Sequence, residues 1–225
     1  MNVQEIWNQQ RQNVASYYSA NSKKINYITI AILAIVGGLL YWNLSYIPSQ
    51  NDKAGIKLAK LHYYFKNDSM DVVLKGSKTL KITGAPEIAD DYFGTPKGRE
   101  AAMMAGIAYV KTKKFEKALE YLKKAEAKDK FVGPALVALQ ASCESELGNY
   151  SKAAGLYEKA ASLADVEFAA NYLRKAGIHY EKEKDYSSAL KCYETISKKY
   201  NTSPEGSDID KYIYKCKALM GEFNP

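Results

Sequence analysis

Phe115-Glu116-Lys117-Ala118, Tyr150-Ser151-Lys152-Ala153 and Tyr186-Ser187-Ser188-Ala189 decide the fold of this chain. Each is an aromatic residue followed three positions later by alanine, and they recur at intervals of 35 and then 36 residues. Other positions keep step with them. Gly106, Ala141 and Gly177 lie twelve residues before each alanine, and Leu122, Tyr157 and Tyr193 lie four after it. Two antiparallel helices approach closely only where a small residue leaves room, and a bulky side chain fills the wedge that opens beyond the crossing. Turn signals precede each tetrapeptide, at Lys113-Lys114, Gly148-Asn149 and Lys184-Asp185. Between the turns, apolar residues recur at i, i+3, i+4 and i+7 in segments of about 12 to 18 residues. The spacing predicts an all-α chain of repeated helical hairpins.

The pattern resembles the tetratricopeptide repeat superfamily, whose period is about 34 residues. Tyr109 and Tyr180 follow the small residue by three, while Glu144 replaces the aromatic in the middle copy. The resemblance covers residues 98–200 and implies an α-solenoid of about three to four hairpins, with repeats at 99–132, 134–166 and 170–203 and a capping helix at 206–221. Residues 55–81 supply an earlier, irregular hairpin in this reading. Gly76 to Gly98 is rich in Gly, Pro and Thr and is expected to be a loop with one short helix near Glu87 to Tyr92.

Outward toward the N terminus, no charged residue occurs between Lys24 and Asp52, and Ile25 to Leu44 holds ten Ile, Leu or Val. Twenty helical residues span about 30 Å, the thickness of a hydrocarbon core. Tyr27 at one end and Tyr41, Trp42 and Tyr46 at the other stand where an aromatic belt stands. Bulky Tyr41-Trp42-Asn43-Leu44 is unsuited to a signal-peptidase site, which favours a retained signal anchor over residues 25–47. Arg11, Lys23 and Lys24 put the tail, residues 1–24, in the cytoplasm, although Lys53, Lys57 and Lys60 oppose this. Residues 51–225 then form the repeat domain outside. Val3, Ile6, Trp7, Val14 and Tyr17 recur at helical spacing, so the tail is either an amphipathic surface helix or an extension of the anchor. Ala34 and Gly38 are a small-xxx-small step, a feature shared by helix-contact sites and by ordinary membrane helices.

Tyr17-Tyr18-Ser19-Ala20-Asn21-Ser22-Lys23-Lys24, an apolar helix ending Gly38-Leu39-Leu40-Tyr41-Trp42, and a following repeat domain together resemble one family, the YfgM-like ancillary subunits of the bacterial Sec translocon. The resemblance implies a single-pass inner-membrane protein with a periplasmic domain. The partners it implies are translocon subunits, a membrane-anchored chaperone and nascent exported polypeptides. A structural scaffold in another envelope complex, one for division or cell-wall assembly that binds one folded partner, is the alternative.

Stacked hairpins present their first helices on a concave face suited to peptides. The tetratricopeptide resemblance puts Met103, Met104, Ile107, Val110 and Lys111 on that face in the first repeat. Ala138, Leu139, Ser142 and Glu146 follow in the second, and Asn171, Arg174, Lys175, Ile178 and Lys182 in the third. The groove would grade from apolar to basic and suit apolar segments with scattered acidic residues. The alternative is that Met103, Ile107 and Val110 are core, or are covered by residues 51–97. Met103, Ile107 and Leu139 stand where carboxylate-clamping repeats carry Lys and Asn, which disfavours such a clamp; Asn171 and Lys175 alone resemble one.

Nothing in the chain reads as catalytic, and no cofactor or metal is expected. His62 and His179 stand alone without a ligand-spaced partner. Gly76-Ser77-Lys78-Thr79 lacks the upstream glycine and strand of a phosphate loop. Cys143, Cys192 and Cys216 have no metal or redox spacing, although Cys192 and Cys216 could pair in an oxidising compartment. Net charge is +7, and acidic residues interrupt every basic run, as in Glu181-Lys182-Glu183-Lys184-Asp185, which disfavours nucleic acid.

Overall fold

The computed structural model describes residues 2–222, and the chain divides into two units, one ending at Gln50 and the other starting at Asn51. In the first, α1 runs unbroken from Val3 to Tyr41 behind a capping box formed by Asn2 and Glu5. Residues 3–24 are therefore no separate element but an extension of the apolar helix. None of its residues is buried. A π turn, Trp42–Tyr46, follows, with the Trp42 and Tyr46 rings stacked at 4.4 Å. The helix resumes as α2, Ile47–Lys66. Pro48 explains the widened turn, because it offers no N–H to the Leu44 carbonyl and its ring crowds that group. The helix that starts at Val3 is long and apolar enough to cross a membrane, with a window of mean hydropathy 1.8.

The second unit continues with α3 (Met70–Lys75), α4 (Ala85–Asp91), α5 (Pro96–Lys111), α6 (Phe115–Lys124), α7 (Val132–Glu146), α8 (Tyr150–Leu163), α9 (Val166–Lys182), α10 (Tyr186–Lys199) and α11 (Asp210–Leu219). Four hairpins share one turn. Lys114 N–H donates to the Tyr109 carbonyl and Lys113 N–H to Val110, both at 2.9 Å. The same pair of bonds recurs from Asn149 and Gly148, from Asp185 and Lys184, and from Ser69 and Asp68. This is a Schellman closure, in which one residue takes the left-handed conformation and satisfies the last helical carbonyls. The φ values are 56° at Lys113, 79° at Gly148, 61° at Lys184 and 57° at Asp68.

Only one of these four positions is glycine, which gives a direct test. A side chain in the left-handed region costs about 1–2 kcal/mol, against roughly 0.5–1 kcal/mol of extra unfolded-state entropy for glycine. Lys184→Gly and Lys113→Gly are each expected to stabilise by about 0.5–1 kcal/mol, raising the circular-dichroism melting midpoint by about 2–4 °C. A lowered midpoint would refute the shared turn geometry.

Contacts at both ends set α2 parallel to α5 and α7 parallel to α9. Asn51 accepts from Lys97 N–H at 2.8 Å at one end of α2 and α5, and Asp68 pairs with Lys111 at the other. Phe131 meets Phe168 edge-to-face at 6.4 Å at the start of α7 and α9, and Ser145 bonds His179 at 2.9 Å near their ends. Glu205 accepts from Asn171 and Glu181 pairs with Lys215, which sets α11 alongside α9 as a cap.

Hairpin one is irregular for a specific reason. Asp68 and Lys113 are 45 residues apart, against 35 and 36 for the later turns. Most of the surplus is an excursion, residues 76–84, that interrupts the second helix between α3 and α4. Two glycines close it. A Cβ on Gly76 would lie 2.4 Å from the Ile82 carbonyl oxygen, and one on Gly84 2.6 Å from that of Leu74.

Small and large residues meet at each crossing as their spacing predicts. A Cβ on Gly106 would lie 2.7 Å from Leu122 Cδ2, and one on Gly177 2.4 Å from Tyr193 Cε1. Leu122, Tyr157 and Tyr193 are buried. Cys143, Cys192 and Cys216 are buried free thiols, so the pairing of Cys192 with Cys216 is not made here.

Candidate functional site

The face offered by α5, α7 and α9 is the candidate site, since equivalent positions of parallel neighbours fall in rows. Met103, Ile107, Leu139, Arg174 and Ile178 are each half-buried, and Lys175 is exposed. Met103 and Leu139 pack on the core with one side and keep the other in solvent. Met104 does not belong to the face. It is only 2% exposed, turned into the core between α5 and its neighbours, because one residue along a helix rotates the side chain by about 100°. Ala138 is buried for the same reason.

Two predicted polar groups are already engaged within the fold. Lys111 is paired with Asp68, and the Asn171 amide donates to Glu205 at 2.9 Å. That bond removes Asn171 from any carboxylate-holding role. Among the described residues Arg174, Lys175 and Lys182 make no ion pair. Lys175 sits 5.8 Å above the Tyr157 ring and Lys182 4.5 Å above that of Tyr150. The cations are thus held against aromatic faces but not neutralised.

His179 stands behind them as a packing residue. Burial pushes its pKa down, and the neighbouring Lys182 and Lys175 act in the same direction. The neutral ring bonds the Lys175 carbonyl at 2.7 Å through Nδ1 and Ser145 Oγ at 2.9 Å through Nε2, so Nδ1 is the donor. His62 instead faces Glu100 at 3.0 Å between α2 and α5. Burial pushes the Cys143 thiol up to about 11, Cys192 to about 12 and Cys216 to about 11, which makes them poor nucleophiles near neutrality. Among the described residues no group of three or more His, Cys, Asp or Glu is placed to hold a metal.

Two features escaped the sequence reading. Phe131, 64% exposed, and Phe168, 44% exposed, flank a small pocket of about 150 Å³ with Pro134 and Tyr172. Their signal was an aromatic at the start of a helix whose following residues are small. The link between α6 and α7, residues 125–131, is longer than the two-residue link between α8 and α9. Beside it opens a cleft of about 510 Å³ lined by Leu122, Leu136, Val137, Gln140 and Leu163.

No protein-family model matches the chain, and no curated protein matches it. Among solved structures it is similar to the crystal structure of a Podosopora anserina putative kinesin light chain with nearly identical TPR-like repeats. The two are 12% identical with a TM-score of 0.49, over 79% of this chain and 88% of that one. The four shared turns and the small-to-large crossings described above make the second unit an array of repeated helical hairpins.

Proposed function

We propose that the second unit is a protein-binding module held at a membrane by α1. The observation that supports it is that the first helices carry half-buried Met103, Ile107, Leu139 and Ile178 and, on α9, three cations without ion-pair partners among the described residues, Arg174, Lys175 and Lys182. An adaptable apolar surface beside such cations favours unfolded or amphipathic segments that carry acidic residues. Following the whole-chain resemblance, the module is an ancillary subunit of the Sec translocon. It stands on the periplasmic side of the bacterial inner membrane, with its N terminus in the cytoplasm. Its partners are translocon subunits, a membrane-anchored chaperone and emerging exported chains.

Photoreactive residues at Met103 and Lys175 in intact cells test this. Capture of translocon subunits, a chaperone and many exported polypeptides is expected. Arg174→Glu with Lys175→Glu is expected to lower that capture roughly fivefold to tenfold. One folded partner captured alone would replace this reading with the scaffold reading. The scaffold has its own support in Phe131 and Phe168, a preformed edge-to-face pair that suits a folded surface.

A further inference from the structure

The positive charge of the second unit is concentrated at its start. Residues 51–84 carry seven lysines against three aspartates, a net +4, whereas the unit as a whole carries +5. The structure gathers this charge onto one surface. Ala54, Leu58 and Leu61 turn inward from α2, and the opposite stripe is Lys53, Ile56, Lys60 and Tyr63. The glycine-closed excursion folds back to the same side, where Lys60 Nζ lies 3.5 Å from the Lys81 carbonyl oxygen. Its tip, Lys78-Thr79-Leu80-Lys81, is exposed.

Not every lysine here is free to act outward. Lys57 pairs with Asp91 at 3.6 Å and Lys75 with Asp71 at 2.6 Å. Lys53, Lys60, Lys78 and Lys81 form no ion pair among the described residues. Two large apolar side chains stand among them in solvent, Ile56 at 71% and Leu80 at 52% exposure. Unneutralised cations interleaved with exposed aliphatic side chains match the chemistry of a bilayer interface, where headgroup phosphates take the charge and the acyl boundary takes the apolar groups. An acidic protein would take the charges as readily. The bilayer is favoured because α2 starts three residues after Leu44, the last residue of the apolar run.

We propose that Lys53, Lys60, Lys78 and Lys81, with Ile56 and Leu80, form a docking surface for anionic phospholipid headgroups. This rests on the reading of α1 as a membrane helix, which keeps a bilayer within reach.

The test uses the full chain carrying Leu80→Cys, labelled with the environment-sensitive fluorophore NBD, in nanodiscs of phosphatidylcholine alone or with about a third phosphatidylglycerol. The three native thiols are buried, so the label goes to the introduced one. Emission is expected to shift to the blue and rise roughly twofold in the anionic discs, and to revert in high salt, which screens exposed charges. A label at exposed Gly155→Cys is expected to report no lipid dependence. Each lysine near an anionic surface contributes about fivefold to partition, so Lys60→Gln, Lys78→Gln and Lys81→Gln together are expected to abolish the response. Unchanged circular dichroism would show that this variant is folded. Equal emission in both discs, or an equal change at residue 155, overturns the proposal. A response to a polyglutamate peptide but not to lipid also overturns it, in favour of an acidic protein. If the chain does not enter discs at all, the membrane reading fails. The same readout with added anionic and neutral vesicles then decides the docking surface separately.

Discussion

Gly177→Ala is expected to destabilise the second unit by about 2–3 kcal/mol and lower its melting midpoint by about 5–10 °C. The added Cβ would lie 2.4 Å from Tyr193 Cε1 and 2.6 Å from Cζ, distances that real contacts do not reach. Such a clash is mild where the neighbour can swing away, and Tyr193 cannot. Its ring is fully buried, packs 5.2 Å from that of Tyr212, and donates its hydroxyl to Glu181 at 2.8 Å. Glu181 is itself held by Lys215 of the capping helix. One methyl group therefore strains α9, α10 and α11 together. Gly106→Ala meets chiefly the branched end of Leu122, with the Leu122 backbone nitrogen farther off at 3.3 Å, and the flexible side chain makes the expected loss smaller.

The control is a double-mutant cycle followed by thermal and urea unfolding. Tyr193→Ala alone is expected to cost about 3–5 kcal/mol, as for other buried aromatics. In that background Gly177→Ala is expected to cost almost nothing, since its obstacle is gone. An equal cost in both backgrounds would show that the glycine matters for another reason.

That crossing was legible in the sequence because it depends on arithmetic within one hairpin. Gly177 and Tyr193 are sixteen residues apart, and a helix, a fixed turn and a second helix leave one way for them to meet. The turn itself was only half legible. Lys113 and Lys184 were readable as breaks, but nothing about lysine announces a left-handed backbone; that follows from helices which must close at the same place as at Gly148. The face was less legible still. Met103 and Met104 differ by one position, and whether each reaches solvent depends on neighbours far away in the chain. Lys111 and Asn171 were read as exposed polar groups; their partners, Asp68 and Glu205, come from other hairpins. Long-range pairing of that kind leaves no periodicity for a single sequence to reveal. Hairpin one shows both cases at once. Its turn at Asp68 obeys the common rule, and its interrupted second helix follows from backbone contacts at Gly76 and Gly84 that composition marked only as a loop.

Alkaline pH is expected to unfold the second unit over a narrow range, and the reason lies in how its tyrosines are held. Burial is the largest cause that pushes Tyr109, Tyr121, Tyr157, Tyr172, Tyr180 and Tyr193 above the ordinary value of 10.0, with Tyr121 reaching about 12. Carboxylates add to it where hydroxyls donate, Asp90 to Tyr121, Glu158 to Tyr180 and Glu181 to Tyr193. The buried thiols shift the same way from an ordinary 9.0. A group whose folded pKa lies above its unfolded value contributes stability that is complete below the unfolded value and is lost as pH rises toward the folded one. The loss therefore begins near pH 9 with the thiols and steepens above pH 10 with the tyrosines. Each such group removes at most about 1.4 kcal/mol per pH unit within its window, so several acting together remove a few kcal/mol. That is a large share of the stability of an ordinary domain, about 5–15 kcal/mol. The melting midpoint is expected to stay level from pH 7 to 8.5 and to fall steeply above pH 10. Of the nineteen tyrosines, the exposed ones ionise without unfolding, and the remaining rise of tyrosinate absorbance at 295 nm is expected to come in step with the loss of helical circular dichroism, because the buried hydroxyls ionise only as the hairpins open. A titration of all nineteen tyrosines completed near pH 10 to 11 with the helical signal intact would mean that these hydroxyls are open to solvent, and that the ties from Asp90, Glu158 and Glu181 do not hold the stack together.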